Sequence, residues 1–127
     1  MGDNLYCVVP FNFLCVFLVG VYNKPILLTL QDPVVTVGMT VTLSCTSNHS
    51  YNWFILTKNS QKFSHRQCLQ EKDTGLFFAK FPVSPTAFGQ RWRFRCYGSY
   101  TSNPQVWSEG SDLLELLISG EGASNSL

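Results

Sequence analysis

The chain has 127 residues, 45% of them hydrophobic and 14% aromatic, which is enough apolar material for one core of ordinary domain size and no more. A formal net charge of +1 with 13% charged residues provides no long-range field to gather nucleic acid or anionic membrane. Five cysteines in so short a chain point to an oxidising compartment, and their odd number leaves at least one thiol unpaired or paired outside the chain.

Residues 1–21 form an apolar lead containing Leu5, Val8, Val9, Phe11, Phe13, Leu14, Val16, Phe17, Leu18 and Val19. Its length suits a secretory signal peptide, and Val19-Gly20-Val21 borders a possible cleavage point. Against that, Met1-Gly2-Asp3-Asn4 carries no positive charge, and Pro10 and Asn12 interrupt the apolar run. A second reading is a non-native read-through segment, since Phe, Leu, Cys and Val run together as they do where a pyrimidine-rich splice-acceptor region is translated. A membrane anchor fits least, because the run falls short of about 18 clean apolar residues.

From Lys24 the chain breaks into short segments separated by turn residues, the pattern of an all-β sandwich of two antiparallel sheets. Strands are predicted over 25–30, 34–37, 40–46, 53–58, 76–81, 92–98 and 113–118. Gln31-Asp32-Pro33 separates the first two, and Gly38 supplies the turn before the third. The third alternates cleanly, with Val41, Leu43 and Cys45 facing inward and Thr40, Thr42, Ser44 and Thr46 outward. No helix longer than one turn is expected. The domain is placed at 22–120, and the small, polar segment 121–127 reads as a frayed tail.

Two motifs close the sandwich. Phe94-Arg95-Cys96-Tyr97-Gly98 precedes Trp107-Ser108-Glu109-Gly110-Ser111, and Val41-Thr42-Leu43-Ser44-Cys45 lies 51 positions upstream, cysteine to cysteine. That separation suits a Cys45–Cys96 bridge between the sheets, the usual disulfide of an immunoglobulin-like sandwich. Together with Lys24-Pro25-Ile26-Leu27, Pro33-Val34-Val35-Thr36, Ser111-Asp112 and Leu114-Glu115-Leu116, these motifs closely resemble one repeat of the leukocyte and paired immunoglobulin-like receptors. The killer-cell immunoglobulin-like receptors are more distant relatives. The resemblance runs from about Val21 to Gly120.

The chain departs from the family pattern in three places. Where the family usually has Trp-Ser-x-Pro-Ser, Gly110 replaces the proline, permitting the same path at a greater entropy cost. Where the family has Ser-Asp-Pro-Leu, Leu113 follows Asp112. Immunoglobulin domains generally read Asp-x-Gly-x-Tyr-x-Cys before the second cysteine, and Gln90-Arg91-Trp92-Arg93-Phe94-Arg95-Cys96 stands here. Trp92 takes the glycine position and Phe94 lacks the tyrosine hydroxyl. If Trp92 fails to pack inward, this corner limits stability, and Trp92→Gly with Phe94→Tyr is expected to raise the melting temperature. A strongly destabilised Trp92→Gly would show the tryptophan to be core. The usual core tryptophan of the fourth predicted strand aligns with Phe54, leaving Trp53 half exposed.

Candidate chemistry is sparse. The sequon Asn48-His49-Ser50, between two predicted strands, is a glycosylation acceptor suited to an exposed loop of an exported protein. On the two-residue period, Trp92, Phe94 and Cys96 share one face and Arg91, Arg93, Arg95 and Tyr97 the other. Those arginines form either a solvated face, with Glu115 on the next strand opposite one of them, or a contact patch of Arg93, Arg95, Tyr97, Tyr100 and Trp107, the residue types that anchor interfaces. Cys68, near His65, invites a metal reading, but two ligands do not make a zinc site, and a free or intermolecularly paired thiol fits better. His49 and His65 fall in predicted loops with no acid at a telling spacing, so no catalytic constellation is present. No enzyme activity, metal, cofactor or small-molecule substrate is expected.

The resemblance implies a plasma-membrane protein exposed outside the cell, or a secreted one. It implies neighbouring immunoglobulin-like repeats and a protein ligand of the MHC class I type, recognised in immune regulation. The alternative is a truncated or diverged receptor fragment serving as a spacer, with no ligand of its own.

Overall fold

The computed structural model describes residues 3–8, 14–19, 23–31, 33–85 and 90–119. The predicted tail, the outermost residues of the predicted domain and residues 86–89 of the corner before Trp92 lie outside the described residues. β1 (Asp3–Val8) and β2 (Leu14–Val19) pair antiparallel in a two-stranded sheet of their own, from Asp3 opposite Val19 to Val8 opposite Leu14. No strand is expected there from the sequence. Yet Val, Phe and Tyr favour extended backbone, and mutual pairing satisfies the peptide groups of both segments.

The remaining strands are β3 (Ile26–Thr29), β4 (Val34–Thr36), β5 (Val41–Ser47), β6 (Trp53–Lys58), β7 (Gln61–Gln67), β8 (Leu69–Gln70), β9 (Phe77–Val83), β10 (Gln90–Ser99) and β11 (Leu114–Ser119). They form two sheets, ordered β4-β11-β10-β6-β7 and β3-β5-β9-β8. Pairing is antiparallel except for β4, which runs parallel to β11 after the chain changes sheets at the break ending in Pro33. All seven predicted strands form, with ends shifted by at most two residues.

The core lies between the sheets. β5 contributes Val41, Leu43 and Cys45, and β9 contributes Ala79, Phe81 and Val83. From the other sheet come Phe54 and Leu56, then Trp92, Phe94 and Cys96, then Leu116 and Ile118. A disulfide joins Cys45 to Cys96 across the layers, with Cα atoms 6.3 Å apart. On the chain-entropy estimate, closing a loop of this length stabilises the fold by about 4 kcal/mol. Phe54 is fully buried and Trp53 half-buried, as their places in the family pattern require.

Besides β1, β2 and the short β8, two findings differ from the sequence reading. Trp92 is only 8% exposed and belongs to the core cluster, so the expectation that Trp92→Gly stabilises the corner is overturned. Its indole lies edge-on to Phe94 at 6.2 Å, and the Lys58 ammonium sits 3.9 Å from its ring centroid. Lys58 thus holds its charge over the face of the indole. Secondly, β7 occupies a region read as loop and carries His65. Gln61-Lys62-Phe63-Ser64-His65-Arg66-Gln67 has no apolar alternation, and its strand form comes from pairing with β6 as an exposed edge. The β6–β7 hairpin closes through Asn59 and Ser60, both with positive φ (51° and 70°), the two-residue geometry that matches strand twist.

A groove on the five-stranded sheet

The residues 107–111 run beside β10 as an irregular extension of β11, and two serines make this possible. Ser108 donates its N–H to the Gly98 carbonyl at 2.8 Å, while the Gly98 N–H donates to Ser108 Oγ at 2.9 Å. Ser111 repeats the pattern on Cys96, with both bonds at 2.9 Å. In each pair the hydroxyl replaces the serine's own carbonyl as acceptor, and it donates onward to the carbonyl of the following residue, Glu109 or Asp112. Both serines are buried, so these contacts satisfy strand groups that water does not reach. The Ser111 carbonyl, freed from the ladder, accepts from Arg95 Nη1 at 2.8 Å.

This path carries Trp107 over β10, where its ring lies 5.2 Å from that of Tyr97. Gly110 lies under Tyr97: a Cβ added there would sit 2.8 Å from a Tyr97 ring carbon. Glycine at this position therefore does more than permit the backbone path, because it leaves room for the phenol to lie against the chain. Gly98 makes a similar allowance, as a Cβ there would meet the buried Tyr51 ring at 2.4 Å.

The result is an open groove of about 630 Å³ lined by Thr57, Ser60, Arg93, Arg95, Tyr97 and Trp107, and by Ser108, Glu109, Gly110 and Leu113. Of the five contact candidates, Arg93, Arg95, Tyr97 and Trp107 come together in it. Tyr100 does not line it: its ring lies 5.0 Å from Tyr51, and its backbone bridges Asn103. Arg93 Nε pairs with Glu115 Oε2 at 3.0 Å, the cross-strand partner expected from the sequence. With both side chains well exposed, that pair contributes about 0.2–1 kcal/mol. Asn59 anchors the groove's far wall, donating its N–H to the Arg93 carbonyl at 2.8 Å and accepting the Arg93 N–H on Oδ1 at 3.0 Å. Thr57, Ser60, Ser108, Glu109, Gly110 and Leu113 also line the groove and were not among the contact candidates. The run Lys58-Asn59-Ser60-Gln61 after an apolar strand was the signal for a tight hairpin that brings Ser60 there.

Beside the groove, Lys24 Nζ reaches Asp112 at 2.8 Å, and this hydrogen bond and its charge hold the Asp112 carboxyl below its ordinary value. Asn48 is exposed in the loop between β5 and β6. Cys68 is not disulfide-bonded and packs against the core, where burial pushes its thiol up to about 12. Among the described residues no group of three or more His, Cys, Asp and Glu side chains is placed to hold a metal ion. His65 lies against Trp53, with ring centroids 5.6 Å apart.

No family model matches the chain. A curated relative does: leukocyte immunoglobulin-like receptor subfamily B member 3A of Rattus norvegicus is 43% identical over 117 residues, covering 88% of this chain. The chain belongs to the leukocyte immunoglobulin-like receptor family and carries an immunoglobulin-like domain of it. It spans about 16% of the length of that rat receptor. Solved structures agree. The human OSCAR ligand-binding domain matches with a TM-score of 0.64 and 29% identity over 79% of this chain and 52% of its own. CHIR-AB1 matches with a TM-score of 0.58 and 25% identity over 75% of this chain and 97% of its own. The mouse leukocyte-associated immunoglobulin-like receptor 1 domain, at 24% identity and a TM-score of 0.51, shares the fold over 67% of this chain and 84% of its own. These matches place the chain in a non-enzymatic family of immunoglobulin-like receptor domains.

Proposed function

We propose that this receptor repeat binds a protein ligand with the face formed by β6, β10 and residues 107–113, on the outer side of a plasma membrane or in secreted form. The ligand implied by the family resemblance is an MHC class I-like molecule. The observation that carries the reading is the groove itself, where Tyr97 and Trp107 lie ring to ring beside two arginines on a rigid sheet. Aromatic and arginine side chains of this kind supply most of the binding energy in protein interfaces. The test is a biosensor titration of the disulfide-bonded domain against a panel of MHC class I molecules. Binding is expected in the weak range, with Tyr97→Ala and Trp107→Ala each lowering affinity by about tenfold or more. Thr42→Ala, on the opposite sheet, should leave affinity unchanged.

A second reading is a spacer, joined to neighbouring immunoglobulin-like repeats and having no ligand of its own. It is favoured by the edge strand β3, whose Ile26 and Leu28, with Leu30 just beyond, are each more than half exposed. Such an aliphatic stripe suits packing against another repeat. Binding by no member of the panel, with a two-repeat fragment melting well above the single repeat, would establish the spacer.

A further inference from the structure

The groove brings together two guanidinium groups, a phenol hydroxyl and an indole N–H. Arg95 engages Ser111 through Nη1, leaving the rest of its guanidinium fork. Among the described residues, neither the Tyr97 hydroxyl nor the Trp107 indole N–H meets an acceptor, each ring having the other as its contact. Glu109 is the sole carboxylate lining the groove, set against Arg93 and Arg95. Arg93 is already paired with Glu115, outside the lining, whereas Arg95 makes no direct ion pair among the described residues and acts on the Asp112 carboxylate only through its field.

We propose that the groove receives a carboxylate, from an aspartate or glutamate side chain on a segment of the protein ligand. Arg95 binds the carboxylate as a charge-assisted donor pinned in place by the Ser111 carbonyl. Tyr97 and Trp107 add neutral donors, and their rings pack against the apolar flank of the segment. Arg95 suits this task because its fork is held at one nitrogen and offers the others, so little freedom is lost on binding. A volume of about 630 Å³ accommodates a few residues of such a segment. Gly110 belongs to the device, since a Cβ there would displace the phenol. The inference rests on the reading of this face as the ligand-binding surface and adds the chemistry that it selects.

The experiment is an NMR titration of the disulfide-bonded domain with the blocked tripeptide acetyl-Leu-Glu-Leu-amide, its Gln counterpart, and sialyllactose as a carboxylate of glycan origin. The Glu peptide is expected to shift the Trp107 indole and Arg95 Nε–H resonances, with the Gln peptide and Arg95→Gln each weaker by about tenfold or more. Arg95→Lys should retain part of the binding, and Gly110→Ala, which leaves Arg95 intact, should weaken it. Equal binding of the Glu and Gln peptides would overturn the proposal, as would an Arg95→Gln variant that folds and binds the Glu peptide normally. Preferential, Arg95-dependent binding of sialyllactose would overturn the commitment to a protein segment. On the biosensor, loss of MHC class I binding in Tyr97→Ala but not in Arg95→Gln would refute the carboxylate while leaving the proposed function standing. Arg95-dependent Glu-peptide binding without any protein ligand would do the reverse.

Discussion

Replacing Trp92 is the perturbation that most directly separates the two accounts of the corner before Cys96. A buried tryptophan withdraws about 150–250 Å² from water, which at about 25 cal/mol per Å² amounts to roughly 4–6 kcal/mol. Area bookkeeping of this kind is an upper figure, since the unfolded chain already hides part of that surface. Trp92→Gly also removes the Lys58 cation–π contact at 3.9 Å, worth about 0.5–1 kcal/mol at a partly exposed site, and weakens the strand by about 0.5–1 kcal/mol as glycine. The expected loss is about 4–6 kcal/mol, against a total of about 5–15 kcal/mol for an ordinary domain. Trp92→Phe, which keeps the ring against Phe94, should cost about 1–2 kcal/mol. Urea unfolding with the Cys45–Cys96 bridge intact, followed by near-ultraviolet circular dichroism, measures both through the midpoint at constant slope. A glycine variant unfolding at or above the parental midpoint would refute the packing argument and restore the view that Trp92 strains the corner.

Four further outcomes are expected. Ser111→Ala leaves the buried Cys96 N–H without its acceptor and should cost about 1–3 kcal/mol, while Ser111→Thr keeps the hydroxyl; an unchanged melting midpoint for alanine would contradict the serine-for-carbonyl exchange. Ser60→Gly removes a side chain from left-handed backbone and should raise stability by about 0.5–1 kcal/mol in thermal melts, a lower midpoint counting against the hairpin geometry. The Cys68 thiol should resist a thiol reagent at pH 8 in the folded domain and react at once in denaturant. Because the folded chain keeps that proton to about 12 against an ordinary value of 9.0, its contribution to stability is complete below pH 9 and is lost as pH rises through 12. Cys68→Ser should flatten this alkaline decline. Asn48, exposed in its loop, should carry glycan when the chain passes through a secretory pathway, seen as a mass difference that Asn48→Gln abolishes.

The strands of the core were legible in the sequence because half-buried strands write a two-residue period. Val41, Leu43 and Cys45 alternate with Thr42, Ser44 and Thr46, and the fold buries the first set. Cysteine spacing gave the bridge between layers, since one strand in each sheet must supply a sulfur. The same period placed Trp92 beside Phe94 and Cys96, but whether that position had room for an indole was a question of volume. Only the space beside Phe94 and beneath Lys58 decided it. The polar strand β7 has no period to read, because an exposed edge takes its conformation from the partner strand. For the groove, residues 93, 95 and 97 shared a face by alternation alone. Their union with Trp107, Ser60 and Gly110, and the separation of Tyr100, depended on side-chain hydroxyls replacing carbonyls and on a ring fitting where a Cβ would not. Those are contacts between segments distant along the chain, and local pattern carries no record of them.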